Sequence, residues 1–349
     1  MLPTRSYAAF DSKSPLRPFA FERREPGPQD VLIAIDFCGV CHSDLHQVRD
    51  EWHGSKYPLV PGHEIVGRVV RVGAGVTTHE VGDRVGVGCF VDSCRECEMC
   101  KLGQEQFCTK GMVGTYNSTE RDGVSRTYGG YSDQIVVDAK YVLRVPAAMP
   151  LDRVAPLLCA GITTYSPLRH WKVQKGQRVG ILGLGGLGHM GVKLAVAMGA
   201  EVTLLSSSPS KKEDAKRLGA HEFVVTKDDG ALGKLAGRFD LILDSVSAPH
   251  DLAAFVSTLR PEGTLVLLGA PTEPYQLPAF SLIMGRRSIG GSLIGGIKET
   301  QEMLDFCAKH EVLADVETIK IQEIDRAYER MLKGDVRYRF VVDAASLAA

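Results

Sequence analysis

The chain has 349 residues, 44% hydrophobic and 24% charged, with 41 basic against 42 acidic residues for a formal net charge of -1. That length suits two domains rather than one core, and the balance excludes both a disordered chain and a global field that would recruit nucleic acid or anionic lipid. The amino-terminal MLPTRSYAAFDSKSP lacks the apolar run of a secretion signal, and no stretch approaches the ~18 apolar residues of a membrane span, so a cytosolic protein acting on small molecules, without nucleic-acid or membrane partners, is expected.

Short β-type runs at 31–35, 65–70, 84–87 and 135–137, separated by glycine and proline, predict an irregular β barrel in the first 150 residues. From about 178 the texture becomes strand and helix in alternation: a strand at 179–182, a helix at 187–198 closed by Gly199, and a strand at 202–205. A helix at 209–218 follows, with Pro209 in its first turn and Gly219 past its end. Strands at 223–225, 241–243 and 264–268 and a helix at 252–259 complete a parallel, doubly wound α/β sheet. A helix near 299–309 and a strand at 338–342 close the chain.

Nine cysteines are unevenly spread, and four of them, Cys94, Cys97, Cys100 and Cys108, read C-x2-C-x2-C-x7-C. Clustered cysteines without a secretory signal are metal ligands rather than disulfides. Four thiolates saturate zinc, so this site is structural. A bacterial ferredoxin run needs three residues before a fourth cysteine followed by proline, whereas Thr109 follows Cys108. A second site, with one position open for substrate, would take two thiolates and an imidazole from Cys41, His63 and Cys159; singly, each reads as readily as a core residue.

Gly183, Leu184, Gly185, Gly186, Leu187 and Gly188 form a G-x-G-x-x-G loop directly after a strand and opening a helix, the context that dinucleotide binding requires. Eighteen residues after Gly188, where NAD enzymes carry an acidic residue for the adenine ribose, stands Ser206. Ser206, Ser207 and Ser208 with Lys211 and Lys212 suit a 2′-phosphate and hence NADP(H); Ser208 followed by Pro209 also suits a helix cap.

Together these motifs, with Cys41-His-Ser-Asp-Leu-His46, Pro61-Gly-His-Glu-Ile-Val-Gly67 and Cys159-Ala-Gly-Ile-Thr-Thr-Tyr165, resemble the zinc-containing medium-chain dehydrogenase/reductase superfamily. The likeness is greatest to its cinnamyl-alcohol-dehydrogenase branch and the related bacterial NADPH-dependent aldehyde reductases. The resemblance implies a barrel-like, mostly β, GroES-like catalytic domain at 1–152 and 296–349 and a Rossmann NADP-binding domain at 153–295. It implies two zinc ions per chain, a catalytic one on Cys41, His63 and Cys159 with Glu64 able to approach, and a structural one on the cysteine cluster. Asp44 would orient the ligand histidine, and reads also as a helix cap. Ser43 and His46 would relay a proton to solvent, though His46 reads also as an ordinary surface histidine. His42, Thr163 and Asp244 would adjoin the cofactor, the last being equally an ordinary strand-end aspartate. The chemistry implied is zinc-assisted hydride transfer between NADP(H) and primary alcohols or aldehydes, in a homodimer joined near 288–294.

The tract 121–126 carries no recognisable chemistry, and Trp52, Tyr57 and Trp171 fit core packing better than a pocket. A zinc-ribbon module for nucleic acid would need a basic stripe and no dinucleotide loop; the runner-up among enzymes is an NAD-linked zinc polyol dehydrogenase.

Overall fold

The computed structural model describes residues 1–271 and 273–348, which separate into two compact units, 1–159 with 295–349, and 160–294. The first unit is built on a seven-stranded sheet in the order Val316–Lys320, Arg339–Asp343, Asp30–Gly39, Ile65–Val72, Arg84–Val87 and Leu143–Arg144, with Gln134–Asp138 also paired to Asp30–Gly39. Asp30–Gly39 is central, which explains its nearly continuous apolar run: it is covered on both faces rather than on alternate residues. Two later helices close the unit with one stripe each. Thr300, Met303, Leu304 and Cys307 are the buried residues of Ile297–Lys309, and Ile324, Ala327, Tyr328 and Met331 those of Ile324–Leu332, both at the three-and-four spacing of a helix face.

The second unit is a six-stranded parallel sheet in the order Glu222–Val225, Glu201–Ser206, Arg178–Leu182, Phe239–Asp244, Leu259–Leu267 and Ser288–Gly291. Leu205, Phe239, Ile242, Leu252, Val256, Leu259 and Leu265 form its core on one side. The segment expected as one helix at 209–218 is a 3-10 turn, Pro209–Lys211, followed by the helix Lys212–Arg217. Among the described residues no helix is long and apolar enough to cross a membrane.

Candidate functional site

Three strand ends bring the first group of donors together. Cys38 pairs with Ile65 across the antiparallel strands, and Gly39 pairs with Val341. Cys41, His63, Glu64 and Arg339, each one to three residues beyond those pairs, therefore leave the same end of one sheet. Cys159 arrives directly after the 3-10 turn Ala155–Leu158, where the Cys89 thiol contacts the Leu158 carbonyl at 3.8 Å.

Cys41 Sγ and Cys159 Sγ lie 4.0 Å apart. With one donor atom each from His63 and Glu64 they make a buried set within 4.8 Å of one another. The two sulfurs are in hydrogen-bond contact: that contact holds Cys41 well below the usual thiol range and pushes Cys159 well above it. A divalent ion displaces the proton of such a contact, so this set of two sulfurs, a nitrogen and a carboxylate fits a zinc-type metal.

Asp44, fully buried, accepts the Cys41 backbone N–H at 2.9 Å and that of Gly62 at 3.0 Å, and its Oδ1 lies 3.1 Å from His63 Nδ1. One carboxylate thus caps the helix His42–Val48 and fixes the imidazole, leaving Nε2 as the nitrogen available to a metal. Tyr116 stacks on the His63 ring, centroids 5.9 Å apart. Burial pushes the Glu64 carboxyl up to about 7 against the Arg339 guanidinium hydrogen-bonded to its Oε1. Its Oε2 is buried without a hydrogen-bond partner among the described residues. Arg339 is the member of this group that motif reading missed: its partner is 275 residues away, and no local pattern marks it.

Ser43 Oγ lies 3.7 Å from Cys41 Sγ. His46 is partly exposed and engages Glu51 through Nδ1, with Trp52 against its ring at 5.0 Å. No hydrogen bond joins Ser43 to His46 among the described residues, so the structure brings Ser43 to the thiols and leaves His46 apart. His42 is exposed at the head of the same helix. Trp52 is 51% exposed, Tyr57 donates to the Val48 carbonyl at 2.8 Å, and Trp171 lies over Gly290.

Cys94, Cys97, Cys100 and Cys108 also bring their sulfurs within 4.8 Å of one another, none in a disulfide. The Cys94 and Cys97 backbone N–H groups donate to Cys108 Sγ and Cys94 Sγ, both at 3.3 Å. Such bonds favour thiolate over thiol, and Cys97 is accordingly lowered to about 5 by backbone hydrogen bonds. Four sulfurs with no open position suit a structural zinc. The unassigned tract 121–126 takes part here: Arg121 donates to the Lys110 and Gly111 carbonyls and reaches 4.0 Å from Cys108 Sγ, while Arg126 donates to the carbonyls of Lys56, Tyr57 and Pro58.

In the second unit, strand Arg178–Leu182 runs into Gly183, whose φ of +89° an L side chain rarely adopts. Helix Gly186–Ala197 starts at Gly185 with no side-chain cap, so backbone N–H groups stand at its head, and a Cβ on Gly188 would strike the Gly183 carbonyl. Thr163 is buried in helix Ala160–His170. Ser206 ends its strand and accepts the Ser208 N–H at 3.2 Å; Ser208 Oγ pairs with Ser210 at 2.8 Å instead of capping the turn. Ser207 is exposed and Lys211 half-buried. Asp244 is fully buried, with its carboxylate engaged by Val246 and His250.

Residues 27–147 match the alcohol dehydrogenase GroES-like domain family, and 186–309 the zinc-binding dehydrogenase family. The chain is 58% identical to the NADP-dependent alcohol dehydrogenase C 1 of Mycolicibacterium smegmatis over 99% of both proteins. It is 56% identical to the aldehyde reductase YahK of Escherichia coli over 98% of this chain and 99% of that one. A solved cinnamyl alcohol dehydrogenase of Helicobacter pylori, complexed with NADP(H), superposes with a TM-score of 0.93 at 44% identity, covering 99% of each chain.

Proposed function

The chain belongs to the zinc-containing medium-chain dehydrogenase/reductase superfamily, in its cinnamyl-alcohol-dehydrogenase-like branch, and on that premise we propose that it is an NADP(H)-linked alcohol dehydrogenase working as an aldehyde reductase. The observation that carries the reading is the convergence of Cys41, His63, Glu64 and Cys159 within 4.8 Å. A zinc ion held there supplies the Lewis acid, and bound NADPH the hydride, that carbonyl reduction needs.

The chain's own residues do the rest. Cys41, His63 and Cys159 hold the ion, and Asp44 presents His63 to it by occupying Nδ1. Glu64, tied to Arg339, would be a further donor able to approach the ion. Ser43 passes the proton that the product hydroxyl requires, since a hydroxyl donates and accepts in turn, and its place 3.7 Å from Cys41 Sγ supports that role. His46, 29% exposed and apart from Ser43 among the described residues, would be the group that exchanges the proton with solvent.

The unit with the glycine loop binds the cofactor, and the absence of a carboxylate at Ser206 supports NADP(H) over NAD(H). Cys94, Cys97, Cys100 and Cys108 hold the second zinc. The reading extends to a cytosolic homodimer: Ser288–Gly291 is an edge strand, and Phe280, Ile283 and Met284, shortly before it in the chain, are 71%, 65% and 79% exposed, an apolar surface suited to a second copy. Removing and restoring metal tests the proposal: aldehyde-dependent NADPH oxidation should vanish with chelation and return with zinc, and full activity without metal would overturn it.

A further inference from the structure

His63 brings an imidazole to the buried donor set, and a metal takes a ring nitrogen in the plane of the ring, so the tilt of that plane matters as much as its place. The backbone on either side of His63 is fixed. Asp44 accepts the Gly62 N–H at 3.0 Å, and the Glu64 carbonyl accepts the Gly39 N–H at 2.9 Å. The torsion that turns a histidine ring is broad rather than confined to staggered wells, so it has to be set from outside. One contact, Nδ1 at 3.1 Å from Asp44 Oδ1, holds one edge of the ring, which is still free to tilt about that bond.

A second contact removes that freedom. The half-buried Tyr116 ring lies against the His63 ring, with centroids 5.9 Å apart and planes 27° from parallel, the offset stack that aromatic pairs favour. Asp44 takes an edge of the imidazole and Tyr116 takes a face, so the two constraints act in different directions.

Tyr116 is itself braced through both of its chain neighbours. Thr115 donates its N–H to the Cys89 carbonyl at 3.2 Å and its hydroxyl to the Gly88 carbonyl, extending the antiparallel pairing of Phe90–Asp92 with Val113–Gly114. Asn117 has a φ of +51°, in the left-handed region that asparagine tolerates better than most side chains. Its Oδ1 accepts the Lys56 N–H at 2.9 Å, and its Nδ2 donates to Gln47 Oε1 at 2.6 Å. Gln47 belongs to helix His42–Val48, which also carries Asp44. The ring over the face of His63 and the carboxylate at its edge are therefore tied to one helix and keep one relative position.

We propose that Tyr116 is a positioning residue for the metal-binding histidine: stacked on His63 and braced through Asn117 to the helix that carries Asp44, it fixes the plane of the imidazole and so holds Nε2 ready for a metal. The proposal rests on the zinc reading of Cys41, His63 and Cys159. The stack needs the ring of Tyr116 and not its hydroxyl, which separates two otherwise similar substitutions.

The test is equilibrium competition of the full-length, zinc-loaded protein with a chromogenic chelator, joined to visible absorption of the cobalt-substituted protein. The zinc that Cys159→Ser lacks identifies the site. Tyr116→Leu, which removes the ring, should raise the dissociation constant of that zinc about tenfold or more, the scale on which losing a partner that orients a metal-binding histidine acts. It should also alter the cobalt bands of that site and leave the zinc of Cys94, Cys97, Cys100 and Cys108 at wild-type affinity. Tyr116→Phe keeps the ring and should return both affinity and spectrum close to wild type. A wild-type dissociation constant and spectrum in Tyr116→Leu would overturn the role. So would equal weakening of both zinc ions, which marks general loosening, or a Tyr116→Phe variant as impaired as Tyr116→Leu, which assigns the effect to the hydroxyl. If the wild type holds no zinc that depends on Cys159, the zinc reading itself fails and the proposal with it. Should Tyr116→Leu not fold, Asn117→Gly decides: glycine accepts the left-handed backbone and drops the braces to Lys56 and Gln47, so zinc at the Cys159 site should bind several-fold more weakly, and wild-type affinity there would overturn the proposal.

Discussion

Glu64 and Arg339 form a buried ion pair, 0% and 5% exposed, joining the residue after His63 to a strand 275 positions later. Removing one partner of such a pair leaves the other charge uncompensated, which costs about 3–5 kcal/mol, whereas removing both with apolar replacements of similar size costs far less. Arg339→Met should therefore lower the denaturation midpoint markedly, and the double variant Glu64→Met with Arg339→Met should recover most of the loss. Additive losses in a double-mutant cycle would show that the two side chains are not coupled.

The two metal sites should separate by mutation. Cys159→Ser removes one of the two sulfurs beside His63, so it should give a folded protein without turnover that keeps one zinc. Cys97→Ser breaks the four-sulfur group and should instead destabilise the loop around it and release the second zinc. Metal analysis of the wild type should give two zinc ions per chain; one zinc, or iron, would contradict the assignment.

Legibility in the sequence followed locality. The cysteine cluster closes within fifteen residues and the glycine loop joins a strand to a helix in one stretch, so spacing alone exposed both. The trio of Cys41, His63 and Cys159 became readable through family resemblance, because what unites it is the register Cys38 with Ile65, a nonlocal fact. Arg339 was missed for the same reason: it gains meaning from a buried carboxylate brought beside it by folding. Helix Ala160–His170 escaped because it is buried nearly all round and contains Pro167, which hides the helical period. Strands Leu2–Ala8, Arg17–Arg23 and Val316–Lys320, with polar residues along much of their length, also gave little apolar signal.

The role proposed for Ser43 is separable from metal binding. Ser43→Ala takes away a hydroxyl and leaves the four metal donors intact, so zinc content should not change while proton transfer slows by ~10²-fold or more. Steady-state rates across pH, with metal content measured on the same samples, check this. An unaltered rate and pH profile would remove Ser43 from the relay.

Cofactor choice should turn on the end of strand Glu201–Ser206. One charge-assisted contact to a 2′-phosphate contributes roughly 1.5–3 kcal/mol, so two or three of them predict at least ~10²-fold preference for NADPH. Ser206→Asp combined with Lys211→Ala adds a repelling carboxylate and removes a cation, and should erode or reverse that preference. Retention of the full preference in this variant would place 2′-phosphate recognition elsewhere.

Zinc-dependent, NADPH-linked reduction of aldehydes is tested directly by initial rates of the zinc-loaded protein over aromatic and medium-chain aliphatic aldehydes, and over polyols, with NADP(H) and NAD(H) in parallel. Aldehydes should be reduced broadly, with a specificity constant for NADPH at least ~10²-fold above that for NADH, since an apolar pocket discriminates weakly among hydrophobic groups while phosphate contacts discriminate strongly. Turnover of polyols alone, with NAD preferred, would contradict it.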